Sequence, residues 1–411
     1  MSHQDAAATV TARENTVTPG YAWVILAVVF IPSVAAVLNQ MKVSALIPLL
    51  QAAFKVNLAS AGLLMSVFAV TGTVLSLPSG MVVQKLGLKI AGMTAMGCVV
   101  LGSVLGALSP SFPVLLCGRS LEGIGFALIA VVAPTAIAMW FPRAKVGTPM
   151  GIWATWAPLG TALTLAVCPP LAQARGWRTV WWSGAALALL CFFLLAVFLR
   201  PRPSAGETRQ AAREERKGSI GEALGNRNIW FLTITMISFS FGLAATFTFL
   251  PTFLKTVRAF SLERASLMTS VPMIVLMLAS PLAGIALGRF GRHKLALSAS
   301  ILMMGVLLLL PFRVTGAWIS VWAVLMGVTL AFIPTVCFSV APAVMGKPEL
   351  ASYGLAALIF GQNLGVLIGP TYFGAVVDRA GWGPGSLALI PWMLAGFVTA
   401  VLAKIPKITA S

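Results

Sequence analysis

Charged side chains are scarce in this sequence. Asp, Glu, Lys and Arg make up 9% of its 411 residues, whereas 59% of the residues are hydrophobic. A soluble domain carries about 25% charged residues, and no soluble fold buries so large a share of apolar surface. Apolar stretches of about 20 residues, long enough to cross a bilayer, recur along the whole length. The composition excludes a soluble protein and predicts an all-α membrane protein with many spans.

Residue types that build catalytic and metal sites are also few. The two histidines are His3 and His293, both in segments expected to be cytoplasmic. The five cysteines stand in apolar segments at no metal-ligand spacing, which favours a role in helix packing. They are Cys98, Cys117, Cys168, Cys191 and Cys337. The sequence contains no GxxxxGK[ST] phosphate loop and no Ser–His–Asp set. We therefore expect neither an enzyme nor an ATP-driven pump, and neither a cofactor nor a metal.

Acidic residues are outnumbered, and the formal net charge of +18 could indicate a nucleic-acid partner. The placement of the charge argues against one. Most of the 28 Lys and Arg fall on one side of the membrane, the asymmetry that marks cytoplasmic loops. We expect a multi-pass protein of the bacterial inner membrane, surrounded by lipid, with both termini in the cytoplasm. The first 20 residues lack the pattern of a signal peptide, so the first span is expected to be retained.

Breaks at Gly, Pro and charge clusters divide the sequence into twelve predicted transmembrane helices. They run near 21–47, 59–83, 88–108, 112–139, 147–172, 180–199, 229–254, 264–287, 295–312, 317–342, 350–377 and 384–404. One long polar stretch, rich in Arg and Glu, separates the sixth helix from the seventh. The predicted organisation is a tail at 1–20, a six-helix bundle at 21–200, a cytoplasmic linker at 201–227, a second six-helix bundle at 228–405 and a tail at 406–411.

The two predicted halves share a motif after their second span. It reads GMVVQKLGLK in the first half and GIALGRFGRHK in the second. Glycine permits a tight turn, and the basic residues hold the turn on the cytoplasmic face. We predict that these loops act as conformational gates. Their key residues are Gly80, Gln84, Lys85, Gly87, Gly284, Arg289, Gly291 and Arg292.

The sequence resembles the major facilitator superfamily in these two loops and in the six-plus-six pattern of spans. A third point of resemblance is the stretch GRSLEGIGFAL in the fourth span, with Arg119, Gly123 and Gly125. The resemblance implies two pseudo-symmetric bundles that rock about a central site and open alternately to each side. The segment NQMKVSALIPLL is similar to the first span of bacterial small-anion permeases, including cyanate permeases and organic anion:cation symporters. Those groups tend to have arginine at the position of Gln40 and, in the symporters, an acid at that of Phe126.

Three ionisable residues lie inside predicted spans: Lys42 in the first span, and Arg119 and Glu122 in the fourth. A charge at the bilayer centre costs about 2.5–3.5 kcal/mol on insertion scales, so these side chains should face protein or water. Arg119 and Glu122 are three residues apart and share a helix face. They form either a buried structural ion pair or a proton-coupling site in which Arg119 sets the pKa of Glu122.

Lys42 has no acidic residue within helical reach on its own span, although Asn39 shares its face. The lysine could lie near the end of the span and snorkel to the surface, pair with Glu122, or present its ammonium to a substrate. The third interpretation makes Lys42 the counter-ion of a transported anion, and it is our prediction.

Other polar and aromatic residues complete the predicted substrate site. Gln362 and Asn363 are costly to bury without partners, so they either line a polar cavity or bond another helix. Trp153 and Trp156 either line the cavity or pack and anchor at the interface. Asn39 and Gln40 are further candidates on the first span, and the hydroxyls of Thr246 and Thr248 are weaker ones.

The favoured function is a secondary transporter of a small, monovalent organic or inorganic anion. Lys42 and Arg119 minus Glu122 leave about one positive charge inside the spans, which suits such a substrate. Proton co-transport depends on Glu122. The alternatives are a proton-coupled exporter of amphipathic compounds and a transporter-like sensor or scaffold. We expect a monomer that binds a small molecule and no nucleic acid.

Overall fold

The computed structural model describes residues 20–141, 147–200, 225–314, 316, 318–347 and 350–405, without the side chains of 76–81, 84, 147, 351 and 352. Both predicted tails and nearly all of the predicted linker lie outside these residues. The domain boundaries at 200 and 228 therefore stay a prediction.

The first half consists of long apolar helices joined by short turns. They are α1 (Gly20–Phe54), α2 (Leu58–Ala107), α3 (Phe112–Trp140), α4 (Gly147–Ala154), α5 (Trp156–Arg175) and α6 (Trp177–Phe198). Helix α2 contains two segments long and apolar enough to cross a membrane, Leu58–Leu75 and Lys85–Ala107, with a non-helical residue at Gly87. Helices α4 and α5 together form one span that breaks at Thr155.

The second half repeats this arrangement. Its helices are α7 (Arg227–Thr256), α8 (Leu262–Phe290), α9 (His293–Leu309), α10 (Trp318–Met345), α11 (Ala351–Ala380), α12 (Trp382–Leu387) and α13 (Ile390–Leu402). Helices α12 and α13 form the last span. Side-chain caps mark several helix starts: Asn57, Asn226 and Ser261 each accept a hydrogen bond from a first-turn N–H.

The fold class is confirmed. Eleven helical segments of the described chain are long and apolar enough to cross a membrane, and α9 is a shorter apolar helix where the ninth span was predicted. The described residues form helices and turns and no strands. The largest difference from prediction is at the end of α1, which runs to Phe54 and not to 47, because Pro48 is accommodated inside the helix. Lys42 is consequently well inside α1.

The two halves are joined closely at one end of the molecule, where α1, α7 and α11 finish and α2 begins. Ser44 of α1 donates to the carbonyl oxygens of Phe247 (2.7 Å) and Thr248 (3.0 Å) of α7. Ser66 of α2 donates to the carbonyl oxygen of Leu367 of α11 over 2.5 Å. We call this end the joined end. On the predicted topology it faces the outside of the cell.

Candidate functional site

The charged residues of the first half meet at a single carboxylate. Glu122 of α3 accepts from Lys42 Nζ at Oε1 (2.6 Å) and from Arg119 Nη1 at Oε2 (2.5 Å). All three side chains are buried, with at most 1% of any one exposed. The two cations therefore share one anion in the interior of the first half.

Lys42 uses all three of its N–H donors within this cluster. Its Nζ bonds Asn39 Oδ1 (2.8 Å), Ser103 Oγ (3.0 Å) and Glu122 Oε1. The ammonium also lies 4.7 Å from the ring centroid of Trp181 on α6, a cation–π contact. Since these partners come from α1, α2, α3 and α6, Lys42 joins four helices of the first half.

Arg119 is held mainly by backbone carbonyl oxygens. Its Nε donates to Leu64 O (3.1 Å), Nη1 donates to Asn39 O (2.7 Å), and Nη2 donates to Gln40 O (3.1 Å). Its guanidinium carbon lies 4.5 Å from the ring centroid of Phe68. The guanidinium thus ties α3 to α1 and to the beginning of α2, next to the joined end.

Small residues let these helices approach closely enough for the cluster to form. A Cβ added to Gly118 of α3 would lie 2.7 Å from the carbonyl oxygen of Gly102 on α2, and one added to Gly102 would lie 2.8 Å from Glu122 Cγ. Ser103 follows Gly102 directly, so the same close approach brings its hydroxyl to Glu122. The Ser103 hydroxyl donates a hydrogen bond to Glu122 Oε1 over 2.6 Å. Gly184 of α6 leaves room for Asn39 and Lys42 in the same way.

The cluster carries an unbalanced formal charge. Two cations and one carboxylate sum to +1 when all are ionised. In a low-dielectric interior, removing one partner of a buried ion pair is strongly destabilising, by about 3–5 kcal/mol, because it leaves a charge uncompensated. The arrangement therefore contributes to packing and also presents a net positive charge to its surroundings.

Lys42 is paired and buried in this structure and does not end at a surface. Its contact with Glu122 corresponds to the second of the three interpretations of the sequence, and its position inside α1 argues against snorkelling. Asn39 lies on the same face, as the helical spacing predicts. The role of Lys42 as a substrate counter-ion remains a prediction.

The predicted amides are available for hydrogen bonding. Gln40, Gln362 and Asn363 are partly exposed, and within the described chain their side-chain amides bond no other group. Gln40 contributes only its carbonyl oxygen, to Arg119. These amides can therefore offer both donors and acceptors to a polar ligand.

The two tryptophans pack on each other. The ring centroids of Trp153 and Trp156 are 5.3 Å apart with an interplanar angle of 14°, and Trp156 stacks on Phe126 at 5.4 Å. Trp153 Nε1 donates to Ser33 Oγ of α1 over 3.1 Å. The break at Thr155 lies between the two tryptophans. All three stacked rings are partly exposed, and their role in lining a cavity remains a prediction.

The repeated loops form turns that require glycine. Gly87 has φ +79° and Gly291, the C-cap of α8, has φ +62°, a region that side chains rarely adopt. Lys85, Arg289 and Arg292 are exposed beside them, and a Cβ at Gly284 would meet nothing. The side chain of Gln84 and the surroundings of Gly80 lie outside the described part of the chain. Gating by these loops remains a prediction.

Sequence reasoning missed two members of the cluster, Ser103 and Trp181. Neither carries a signal on its own, because serine and tryptophan are common in membrane helices. Only the register between α1, α2 and α6 brings them to Lys42.

Comparisons with known proteins agree with this architecture. The sequence model described as Major Facilitator Superfamily matches residues 29–268 and 259–410. The chain is similar to a probable sulfoacetate transporter, SauU, of Cupriavidus necator, with 25% identity over 92% of this chain and 91% of that protein. It is also similar to the hexuronate transporter of Bacillus subtilis, with 24% identity over 89% of this chain and 90% of that protein.

A solved structure shares the fold. It is a bacterial homolog of the human lysosomal transporter Spinster, in an inward-facing and occupied conformation. The TM-score is 0.71 at 17% identity, with 94% of this chain and 96% of that chain covered.

Proposed function

Because the chain belongs to the major facilitator superfamily, and is a transporter and not an enzyme, we propose that it moves a small anion of single negative charge across the inner membrane by alternating access. The observation that carries the proposal is the buried cluster of Lys42, Arg119 and Glu122 with its formal charge of +1. An anion bound near it gains Coulomb energy that is only weakly screened in a low-dielectric interior.

The relatives support the anionic class. The two described above are named for sulfoacetate and for hexuronate, both organic anions. The unpaired amides of Gln40, Gln362 and Asn363 add donors and acceptors that would fix the rest of a polar substrate. The partly exposed rings of Trp153 and Trp156 are proposed to add aromatic surface to the site.

The proton is proposed to act at Glu122. A proton on this carboxylate removes the anion that Lys42 and Arg119 share and leaves two positive charges, one of which an incoming substrate anion then compensates. Substrate and proton would thus occupy the first half together, which is the requirement for symport.

Neither alternative function is favoured. A carrier of cationic amphipathic compounds would be opposed by the positive charge of the cluster, and the relatives described above are not named as drug exporters. A sensor or scaffold is not indicated by any relative described above.

The proposal is tested by thermal unfolding of the purified protein against a panel of small anions. A ligand at 100 times its Kd adds about 2.7 kcal/mol to the free energy of unfolding. We expect one anion class to raise the Tm of the wild type and not that of Lys42→Met, whose cluster has no net charge.

The matched control is the double variant Lys42→Met/Glu122→Gln, whose cluster regains the formal charge of +1 through Arg119. It should recover part of the anion response. If Lys42→Met responds like the wild type, the lysine is structural and the anion binds elsewhere. If no anion stabilises the wild type, the anion proposal is wrong.

A further inference from the structure

At the joined end, the first turn of α2 is completed by a residue of the other half. A helix begins with N–H groups that have no partner within the helix. Asn57 of the first half satisfies one, since its Oδ1 accepts from Ser60 N over 2.8 Å. The preceding two are satisfied by Asp378 at the end of α11, whose Oδ1 accepts from Leu58 N (3.1 Å) and whose Oδ2 accepts from Ala59 N (2.8 Å).

Asp378 is suited to this position by its charge. The beginning of a helix carries a partial positive charge, so an anionic side chain there is favourable and a charge-assisted bond is stronger than a neutral one. Both carboxylate oxygens are used, which fixes the orientation of α11 relative to α2. The carboxylate thus replaces part of the cap that the first half would otherwise have to supply for itself.

The backbones meet at the same place. A Cβ added to Gly374 of α11 would lie 2.9 Å from the carbonyl carbon and oxygen of Leu58, and one added to Gly62 of α2 would lie 2.9 Å from the carbonyl oxygen of Pro370. One turn further along α2, Ser66 Oγ lies 2.8 Å from Thr371 Oγ1 of α11. The contact between α2 and α11 therefore extends over about two helical turns, with Asp378 at its outer limit.

We propose that Asp378 is a gating residue, which holds the joined end closed by capping the first turn of α2 across the boundary between the halves. Opening at this end separates α2 from α11 and breaks both bonds to the carboxylate. Asn57 remains with α2 in either state, because it belongs to the same half. The inference assumes the alternate opening of the proposed function and does not depend on the substrate.

The test measures the separation of the halves directly. The five cysteines of the full-length protein are first replaced by alanine, and spin labels are then attached at positions 108 and 257. The native side chains at these positions, Leu108 and Val257, lie at this end and are 62% and 50% exposed. Pulsed dipolar spectroscopy in lipid nanodiscs, with no substrate added, gives the populations of short and long distances. The variants compared are Asp378→Ala, Asp378→Asn and Asn57→Ala.

We expect Asp378→Ala to raise the ratio of long to short distances about tenfold, equivalent to about 1.4 kcal/mol. Asp378→Asn, which keeps one neutral acceptor, should give an intermediate ratio. Asn57→Ala removes a cap from the same helix within one half, so it should leave the ratio unchanged even if it lowers the Tm. Gly374→Ala, which presses on the backbone of Leu58, should act in the direction of Asp378→Ala and serves if the latter fails to fold.

The proposal is overturned if Asp378→Ala keeps the wild-type distances, or if Asn57→Ala shifts them as much. Because the measurement needs no substrate, a negative result here leaves the anion proposal intact, and failure of the anion screen leaves this result intact.

Discussion

At the scale of single residues, Glu122 contributes more to the stability of the fold than either Lys42 or Arg119. It is the shared anion of two buried cations and accepts from Lys42, Ser103 and Arg119. Loss of Lys42 leaves a balanced pair of Arg119 and Glu122. Loss of the carboxylate leaves two like charges together in the interior. The three side chains therefore contribute unequally to the stability of the protein, although all of them are buried.

This inequality predicts a rank order of stability. Glu122→Ala should lose about 3–5 kcal/mol, and Lys42→Met should lose less because its loss uncovers no charge. The double variant Glu122→Ala/Lys42→Met should be more stable than Glu122→Ala alone, since it removes one of the two uncompensated cations. Apparent Tm values in one detergent would establish the order. The rank order is contradicted if Glu122→Ala is more stable than either Lys42→Met or the double variant.

Sequence reasoning reached these residues because a charge within an apolar run is conspicuous. Helical spacing was sufficient to place Asn39 beside Lys42 and Glu122 beside Arg119, and both contacts are present. It could not give the direction in which the Lys42 side chain leaves α1, because that depends on which face of α1 meets α2, α3 and α6. The partners Ser103 and Trp181 were missed for the same reason.

At the scale of helices, the contact between α2 and α11 depends on glycines at particular places. Gly62 faces the backbone of Pro370, whereas a Cβ at Gly72, on the same helix, would meet nothing within 4 Å. The two glycines are alike in sequence, in helical residues of one predicted span. Only the register against α11 distinguishes them.

We expect Gly62→Ala and Gly72→Ala to behave differently. Gly62→Ala must displace backbone at the joined end and should lower the Tm or increase opening there. Gly72→Ala should be neutral or slightly stabilising, because alanine is favoured over glycine inside a helix by about 1 kcal/mol. Thermal unfolding together with the distance measurement at this end would separate the two effects. Equal destabilisation by both substitutions would contradict the assigned register.

The accuracy of the predicted helix boundaries differs from one helix to another. Residues 112–139 were placed almost as found, because breaks in the sequence bound this mostly apolar run at both ends. The end of α1 was placed too early, since a proline inside an apolar helix and one after it look alike in sequence. The break at Thr155 was not predicted, although Pro158 is a signal for it, because proline has no N–H to donate to the carbonyl oxygen of residue 154.

At the scale of the whole molecule, the charge cluster belongs to one half and the joined end belongs to both. In the proposed transport cycle, a change of charge in the cluster must therefore alter the contacts at the boundary between the halves. Arg119 is placed for this, because it bonds Glu122 on one side and the carbonyl oxygens of Leu64 and Gln40 on the other. Leu64 lies on the stretch of α2 that contacts α11.

The proposed coupling predicts that Glu122→Gln separates uptake from exchange. In proteoliposomes, the variant should lose uptake of the anion driven by a proton gradient. It should retain exchange of labelled for unlabelled anion, because its cluster keeps two cations for the substrate. The control is Glu263→Gln, which removes an exposed carboxylate at the start of α8 and should leave both activities unchanged. Gradient-driven uptake by Glu122→Gln would exclude this residue as the proton site.

The bonds across the joined end have an evolutionary consequence. Ser44, Ser66 and Asp378 each bond the main chain of the opposite half, at Phe247 and Thr248, at Leu367, and at Leu58 and Ala59. Every residue type offers a carbonyl oxygen, and every type but proline offers an N–H. Substitution of a main-chain partner by any residue except proline therefore neither deletes the bond nor compensates for loss of the side chain. Across these pairs, mutational scans should show sensitivity on one side only, and correlated sequence change between the halves should be weak where the contact is tightest.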